Sequence, residues 1–460
     1  MKKYLTLLLA AAVFSVFAGK FSFKCTVNKK DAIFKTGETV TFTAQMLEDK
    51  KPAASKKFGY RLVYDTKTIK CGVVDGAETL TFSVKADKPG WIYLRLFAFA
   101  GTKSDKYYIR RVLDPNNTKS IKAAKSGGIG AMVEPDKLRH SKEEPADFDA
   151  FWNGVKKELA SVPVKLIEKK PVPAAVIAAA KVQNPEKYDI CDVKVSCAGG
   201  MPVSGYLSMP KGAKPKSLPA LITYHGAGVR SARLSRYDIS NNTIVFDVNA
   251  HGIENGHPEE YYTKLSNETL RPKDKGSYQY HNKTDRDSYY MKGMYMRVLR
   301  SLEFVKSLPE WDGKTLVVSG GSQGGAQVLV ACALDHDITL ARCKVPAMCD
   351  HFAEASGRQP GWPRLLSHKL PTEKPEPEKV AKCASYFDGV YFAKRIKCPI
   401  YLYTGFVDTT CAPTSVFAAY NNIPDGVKKS IYCVPTAAHS VPENQFTPIF
   451  LDHIKGKKIK

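Results

Sequence analysis

The stretch Thr315–Leu334 constrains the fold more than any other part of the chain. An apolar run enters a cluster of glycines around Ser322, and a run of small and apolar residues leaves it. This pattern predicts a buried strand, a sharp turn and a buried helix. Residues Gly320–Gly324 fit the pattern G-x-S-x-G, in which glycines let strand and helix pass closely around a strained serine. The alternative is a glycine-rich turn whose serine only caps the helix.

The region after about residue 185 alternates predicted strands with predicted helices, which indicates a doubly wound, mainly parallel sheet. The predicted strands are Leu218–Tyr224, Thr243–Val248, Cys398–Thr404 and Ser430–Val434, and a helix is predicted over Tyr289–Leu308. Active sites of such sheets lie at the carboxyl ends of the strands. Five polar residues lie just after predicted strands: His225, His251, Ser322, Asp408 and His439.

Residues 20–113 have the period-two alternation of short strands. Val40 and Phe42 alternate with threonines, and turn residues separate the runs. The spacing predicts a small antiparallel β-sandwich of immunoglobulin-like type. We see no catalytic constellation in it and expect a packing module. Glycan binding through Trp91 or Tyr60 is an alternative, although a lone aromatic residue is more often part of a core.

Residues 114–145 are rich in turn and loop residues, and we predict that they form a linker. The second domain is then expected over residues 146–460. Asp147 is a candidate cap for a helix that runs to about Ala160.

Residues 1–19 resemble a signal peptide. A basic start precedes the apolar run Leu5–Phe17, and small residues follow near Ala18. The run is shorter than the roughly 20 residues that span a membrane. We expect an exported protein, periplasmic or extracellular, with no membrane span. Export permits disulfides, and Cys25 and Cys71 are candidates for one.

The net charge of +24 is spread over the whole length. A nucleic-acid-binding protein would concentrate such charge on a motif, and we find none, so we expect no nucleic-acid partner. Two interpretations stay open: a lysine-rich solvated surface, or attraction to an acidic substrate such as a uronic-acid-bearing glycan.

A nucleophilic serine needs a histidine and an acid. Asp408 and His439 follow Ser322 in the order Ser, Asp, His that is typical of this fold class. Asp350 and Asp388 are alternative candidates for the acid. The proposed roles are nucleophile for Ser322, general base and acid for His439, and orientation of the imidazole for Asp408.

The oxyanion of such a reaction needs two backbone N–H donors. We assign them to Gln323, which follows the nucleophile, and to Ala227, in the turn after an early strand. His225 in this turn is expected to be structural or to contact substrate. His251 and His257 lack further ligands at metal-binding spacing, so we expect no metal and no cofactor.

Several motifs of residues 130–455 resemble the acetyl xylan esterase and cephalosporin C deacetylase group, carbohydrate esterase family seven, of α/β-hydrolase fold. They are Glu144–Trp152, Tyr224–Gly226, Gly321–Gly325, Tyr386–Asp388, Gly405–Asp408 with Cys411–Pro413, and His439. The resemblance implies a triad of Ser322, Asp408 and His439, oxyanion donors at Ala227 and Gln323, and removal of acetyl groups from xylose units or small esters.

The chain departs from the family pattern at two places. Ala227 replaces a tyrosine of the oxyanion turn, which keeps the backbone donor but removes a side chain from the acetyl pocket. The family's Arg-Gly-Gln-Gly stretch falls on Asn249–Gly252, and we expect the missing arginine to affect loop packing and subunit contacts. We therefore make no prediction of the oligomeric state.

The leading hypothesis is a serine esterase that removes O-acetyl groups from a carbohydrate substrate. The alternatives are a serine peptidase of prolyl-oligopeptidase type and a non-catalytic glycan-binding protein on a hydrolase scaffold. Trp362, in a predicted lid or loop, is the candidate aromatic contact to substrate, together with His225.

Overall fold

The computed structural model describes residues 21–53, 56–76, 78–117, 119–235, 239–272, 276–367 and 376–457. The predicted signal peptide lies outside these residues. The chain divides into two compact units. The first unit runs up to Leu138 and also includes Gly405–Thr409 and Cys433–Ser440, and the second unit comprises Arg139–Thr404, Thr410–Tyr432 and Val441–Lys460.

The first unit is built from two β-sheets. Its strands are β1 (Phe21–Val27), β2 (Ile33–Phe34), β3 (Thr39–Glu48), β4 (Lys51–Pro52), β5 (Lys57–Tyr64), β6 (Lys67–Asp75), β7 (Thr79–Lys85), β8 (Gly90–Ala98) and β9 (Lys125–Val133), and its helix is α1 (Asp105–Leu113). One sheet holds β1, β3, β4 and β7, and the other has the order β2-β9-β8-β5-β6. Val40 and Phe42 on β3 are fully buried while Thr39 is exposed, so the predicted alternation is confirmed.

Strand β9 lies inside the segment 114–145 that we predicted as a linker. It pairs with β8 on one side and with β2 on the other, so this part of the linker prediction is wrong. The glycines that indicated a loop serve a different purpose. A Cβ on Gly128 would lie 2.1 Å from the carbonyl oxygen of Leu94 on β8, so glycine here allows a close backbone approach.

The alternative of glycan binding by this unit and the candidate disulfide are both contradicted by the structure. Trp91 and Tyr60 are 0% and 8% exposed, so they are core residues and cannot serve as an open glycan platform. Cys25 on β1 and Cys71 on β6 are free thiols. Burial raises the pKa of Cys25 to about 12, which keeps this thiol protonated.

The second unit contains a mixed sheet of nine strands. They are β10 (Leu166–Pro171), β11 (Tyr188–Val195), β12 (Val203–Pro210), β13 (Leu218–Tyr224), β14 (Ile244–Asn249), β15 (Trp311–Gly321), β16 (Leu340–Lys344), β17 (Ile400–Gly405) and β18 (Lys429–Val434). Their order is β10-β11-β12-β14-β13-β15-β16-β17-β18. The central strands β14, β13, β15, β16 and β17 are parallel, whereas β10, β11 and β12 are antiparallel.

The helices of this unit follow the predicted alternation. They are α2 (Phe148–Ala160), α3 (Ala174–Ala180), α4 (Glu259–Leu265), α5 (Tyr290–Ser307), α6 (Gln323–Leu334), α7 (Pro377–Ala384), α8 (Gly389–Ala393), α9 (Pro413–Asn422) and α10 (Thr447–Ile454). Helix α6 is buried from Gln323 to Ala333, which explains its apolar composition on every face. Among the described helices, none is long and apolar enough to cross a membrane.

Helix α2 begins where we predicted, but Asp147 does not cap it. The Asp147 carboxylate accepts hydrogen bonds from the Tyr386 hydroxyl at 2.5 Å and from Arg286 at 2.9 Å. Tertiary partners therefore replace the local bond to the backbone.

Substituting Gly324 with alanine is expected to destabilise the fold by about 1–3 kcal/mol or more, because a rigid backbone atom opposes the added methyl group. The Cβ would lie 2.0 Å from the Tyr224 carbonyl oxygen. Gly154 is the matched control, since it is an exposed residue of helix α2 with no atom within 4 Å of its Cβ position. Gly154→Ala should stabilise by about 0.5–1 kcal/mol through helix propensity. Thermal unfolding measures both; equal shifts would contradict the packing argument.

Candidate functional site

Ser322 occupies the turn between β15 and α6 in a strained backbone conformation. Its φ is +59° and its ψ is −121°, a region that residues with a Cβ rarely occupy. Neighbouring backbone fixes this conformation, because Ser322 N–H donates to Lys344 O at 2.9 Å and Ser322 O accepts from Ala347 N–H at 3.0 Å. The predicted strand, sharp turn and helix are thereby present.

The glycines of the turn let β15, α6 and β13 approach closely around Ser322. A Cβ on Gly320 would lie 2.4 Å from the Gly324 carbonyl oxygen, and a Cβ on Gly325 would lie 2.8 Å from the Lys344 carbonyl oxygen. Both distances are too short for a real side chain. The glycine cluster therefore follows from packing around the serine.

Gln323 begins helix α6, where backbone N–H groups lack partners within the helix. Its side chain is fully buried, and its Oε1 accepts a hydrogen bond from the Tyr278 hydroxyl at 2.6 Å. The side chain is thus part of the packing. This leaves the backbone N–H as the part of Gln323 suited to an oxyanion.

Tyr278 connects the two segments predicted to supply the oxyanion donors. Its hydroxyl donates to Gln323 and accepts from Gly228 N–H at 3.3 Å, in the turn that contains Ala227. Burial raises the pKa of Tyr278, so the hydroxyl stays protonated. Sequence reasoning missed this residue because it lies in a stretch with no strand or helix periodicity.

Tyr278→Phe is expected to lower kcat of ester hydrolysis about ten-fold, because the two donor segments lose their common partner. Tyr391→Phe is the control: it removes a part-buried hydrogen bond of 2.7 Å to Lys142 O, which involves neither Tyr278 nor the donor segments. Steady-state kinetics and thermal unfolding of both variants measure the difference. Equal kcat values would show that Tyr278 contributes only stability.

His225 lies in the same turn and bonds to backbone through both ring nitrogens. Its Nε2 accepts from Ala250 N–H at 3.0 Å, so Nδ1 carries the proton and donates to Gly226 O at 2.6 Å. Burial and the nearby Arg230 lower the pKa of His225 to about 4. A neutral, fully engaged ring fits the structural role that we considered and leaves no ring nitrogen for substrate.

Asp408 and His439 are brought together by the structure. His439 Nδ1 and Asp408 Oδ2 are 2.8 Å apart, and the Asp408 side chain is fully buried while that of His439 is 38% exposed. Val407 N–H donates to Ala437 O at 2.9 Å, which joins the two loops. This pair belongs to the first unit, whereas Ser322 belongs to the second.

The alternative acids, Asp350 and Asp388, have structural partners. The Asp388 carboxylate accepts from the N–H groups of Asp350, His351 and Val390, and it caps helix α8. Asp350 pairs with Arg358 at 2.8 Å. In the described part of the chain, neither carboxylate bonds a histidine ring, whereas that of Asp408 bonds His439. This contrast favours Asp408.

Trp362 is half-buried and lies in irregular backbone. Its N–H donates to Thr410 O at 3.0 Å, and its carbonyl accepts from Met348 N–H at 2.7 Å. These bonds fix the backbone that carries the indole, and its contact to substrate stays a prediction.

The comparisons with known proteins identify a family. The family model described as acetyl xylan esterase matches residues 132–448. The acetyl esterase Axe7A of Xylanibacter ruminicola is 32% identical over 294 residues, which cover 63% of this chain. The chain spans 62% of the length of that relative.

Solved structures of two acetyl xylan esterases are similar to this chain in fold. The acetyl xylan esterase from Paenibacillus sp. R4 has a TM-score of 0.56 and 25% identity, covering 71% of this chain and 99% of its own. Acetyl xylan esterase 1 from Thermoanaerobacterium sp. JW/SL YS485 has a TM-score of 0.54 and 23% identity, covering 70% and 96%. These similarities confirm the predicted α/β-hydrolase fold. By its sequence match over residues 132–448, the chain belongs to the acetyl xylan esterase family.

Proposed function

We propose that this protein is a serine esterase that removes O-acetyl groups from carbohydrate, such as acetylated xylan or related oligosaccharides. The observation that carries the proposal is the strained backbone of Ser322 at φ +59°, held at the N-terminus of α6. Strain of this kind persists where the surrounding structure fixes it, and it is frequent at active sites. Membership of the acetyl xylan esterase family supports the same chemistry.

The reaction proceeds through an acyl-enzyme. Ser322 Oγ attacks the acetyl carbonyl, His439 accepts its proton, and the proton then passes to the leaving sugar hydroxyl. Asp408 keeps the His439 imidazole in the required tautomer. A water molecule, deprotonated by His439, releases acetate and restores the serine. Backbone N–H groups of Gln323 and Ala227 stabilise the oxyanion in both steps.

Two residues and the charge of the protein are proposed to govern substrate recognition. Trp362 offers an aromatic surface for a sugar ring, and Ala227 leaves more room near the acetyl group than a tyrosine would. The positive net charge suits an acidic, acetylated polysaccharide. The basic and apolar pattern of residues 1–19 supports export of the protein. An exported enzyme would reach polysaccharides outside the cytoplasm.

A substrate panel tests the proposal. Purified protein is incubated with acetylated xylan, p-nitrophenyl acetate, feruloylated and methyl-esterified glycans, and a dipeptide amide. We expect acetate release from the acetylated substrates. Cleavage of the amide alone would indicate the peptidase alternative. Tight glycan binding without turnover, and without labelling of Ser322 by a fluorophosphonate, would indicate the non-catalytic alternative.

A further inference from the structure

Two neighbouring strands of the first unit contact the loops that carry Asp408 and His439. Strands β8 and β9 pair with each other, with Trp91 opposite Met132 and Tyr93 opposite Gly130. Each strand sends one hydrogen bond to one of the two loops. The N-terminal sheet therefore contacts the backbone of the two loops that carry the Asp408 and His439 side chains.

Trp91 on β8 binds the acid loop. Its indole Nε1–H donates to the Phe406 carbonyl oxygen at 2.7 Å, and the bond is buried. The ring is 0% exposed and stacks on Tyr93 with centroids 3.8 Å apart. A fully packed ring leaves the donor little freedom, so it fixes the backbone two residues before Asp408.

Gly130 on β9 contacts both loops. Its N–H donates to Pro435 O at 2.8 Å, four residues before His439. Its Cβ position lies 1.9 Å from Phe406 O, so only a residue without a side chain permits the approach. Glycine is needed at position 130 because the Phe406 carbonyl lies so close, and not because of an unusual backbone conformation.

The two loops also bind each other, so a displacement of one is passed to the other. Phe406 N–H donates to Val434 O at 3.0 Å, and Val407 N–H donates to Ala437 O at 2.9 Å. The carboxylate and the imidazole are 2.8 Å apart at the ends of these loops. Such a hydrogen bond loses strength when its geometry shifts by a fraction of an ångström.

We propose that Trp91 and Gly130 are positioning residues that set the geometry of the Asp408–His439 pair, which makes the N-terminal sheet part of the catalytic apparatus. The inference rests on the proposed function, since it assigns the pair a role in ester hydrolysis. It also gives the β-rich unit a purpose other than glycan binding.

Trp91→Phe tests the proposal, because it keeps an aromatic ring but removes the donor. Tyr64→Phe is the matched control: Tyr64 lies on β5 of the same sheet, and the change removes a part-buried side-chain hydrogen bond to Lys88 O that does not involve the two loops. We expect kcat of Trp91→Phe to fall about ten-fold with KM unchanged, as displaced catalytic groups would require. Tyr64→Phe should lose a similar few degrees of melting temperature and keep its kcat.

A spectroscopic readout separates positioning from general destabilisation. The proton between His439 Nδ1 and Asp408 should give a far-downfield proton NMR signal, which His439→Gln removes and thereby assigns. We expect Trp91→Phe, but not Tyr64→Phe, to shift or broaden it. Gly130→Ala should have the larger effect, with kcat about 100-fold lower. Site-specific replacement of Trp91 by β-benzothienylalanine repeats the test with the ring size kept.

The outcomes decide clearly. A lowered kcat together with a changed signal supports the proposal. An unchanged signal in Trp91→Phe and in the benzothienyl variant overturns it, whatever happens to the rate. A wild-type protein without any esterase activity would refute the proposed function, and the NMR comparison would still decide whether Trp91 and Gly130 position the pair.

Discussion

Ser322→Ala is expected to lower kcat of acetyl ester hydrolysis by about 10⁵- to 10⁶-fold, since no acyl-enzyme can form without the hydroxyl. The residual rate should come from the oxyanion donors and from substrate binding. The substitution removes only the side-chain oxygen. The backbone conformation of Ser322 is fixed by backbone hydrogen bonds to Lys344 and Ala347. Protein stability should therefore change little.

The measurement combines steady-state hydrolysis of p-nitrophenyl acetate with mass spectrometry after fluorophosphonate treatment. The wild-type protein should gain one label on Ser322, and the variant should gain none. Ser319→Ala is a matched control on the same strand; its hydroxyl bonds Arg342 at 3.0 Å and is given no catalytic part. Full turnover by Ser322→Ala would remove the basis of the proposed function.

Asp408→Asn is expected to lower kcat by about 10⁴-fold, because an amide stabilises the wrong imidazole tautomer. The carboxylate accepts the Nδ1–H of His439 at 2.8 Å and leaves Nε2 free of its proton. An amide NH₂ can donate to Nδ1 instead, which moves the proton to Nε2. His439 can then no longer accept the proton of Ser322.

Asp388→Asn is the control for this prediction. Asp388 holds three backbone N–H groups and no described bond to an imidazole ring, so an amide there should lower stability by about 1–3 kcal/mol and spare kcat. Kinetics and thermal unfolding of both variants separate the two effects. If Asp388→Asn abolished turnover while Asp408→Asn did not, the acid would be assigned wrongly.

The second unit could be predicted from sequence because its signals are local. Buried parallel strands appear as apolar runs, and Ser322 carries its glycines within a few positions. Leu218–Tyr224 was predicted with its observed ends, and α5 differs from its prediction by one residue at each end. The order of Asp408 and His439 along the chain was sufficient to expect them together.

The contacts that depend on the three-dimensional arrangement were not predictable. Tyr278 binds Gln323 across 45 positions of sequence, and Trp91 binds Phe406 across 315. The periodic pattern of apolar residues within a segment does not indicate contacts between residues so far apart in sequence. Gly127 and Gly128 indicated a loop although they lie on β9, because a glycine required for close approach looks the same in sequence as a glycine in a turn.

The first unit contains segments from distant parts of the chain, and this affects the order in which the protein can fold during translation. This unit contains the earliest described strands and also Cys433–Ser440, synthesised about 300 residues later. The β-rich part therefore cannot complete its contacts during translation of its own strands. It must wait until nearly all of the second unit's sheet has been synthesised. A fragment that begins at residue 146, the boundary suggested by sequence, lacks Trp91 and Gly130. The carbonyl oxygens of Phe406 and Pro435 would then lose their hydrogen-bond donors.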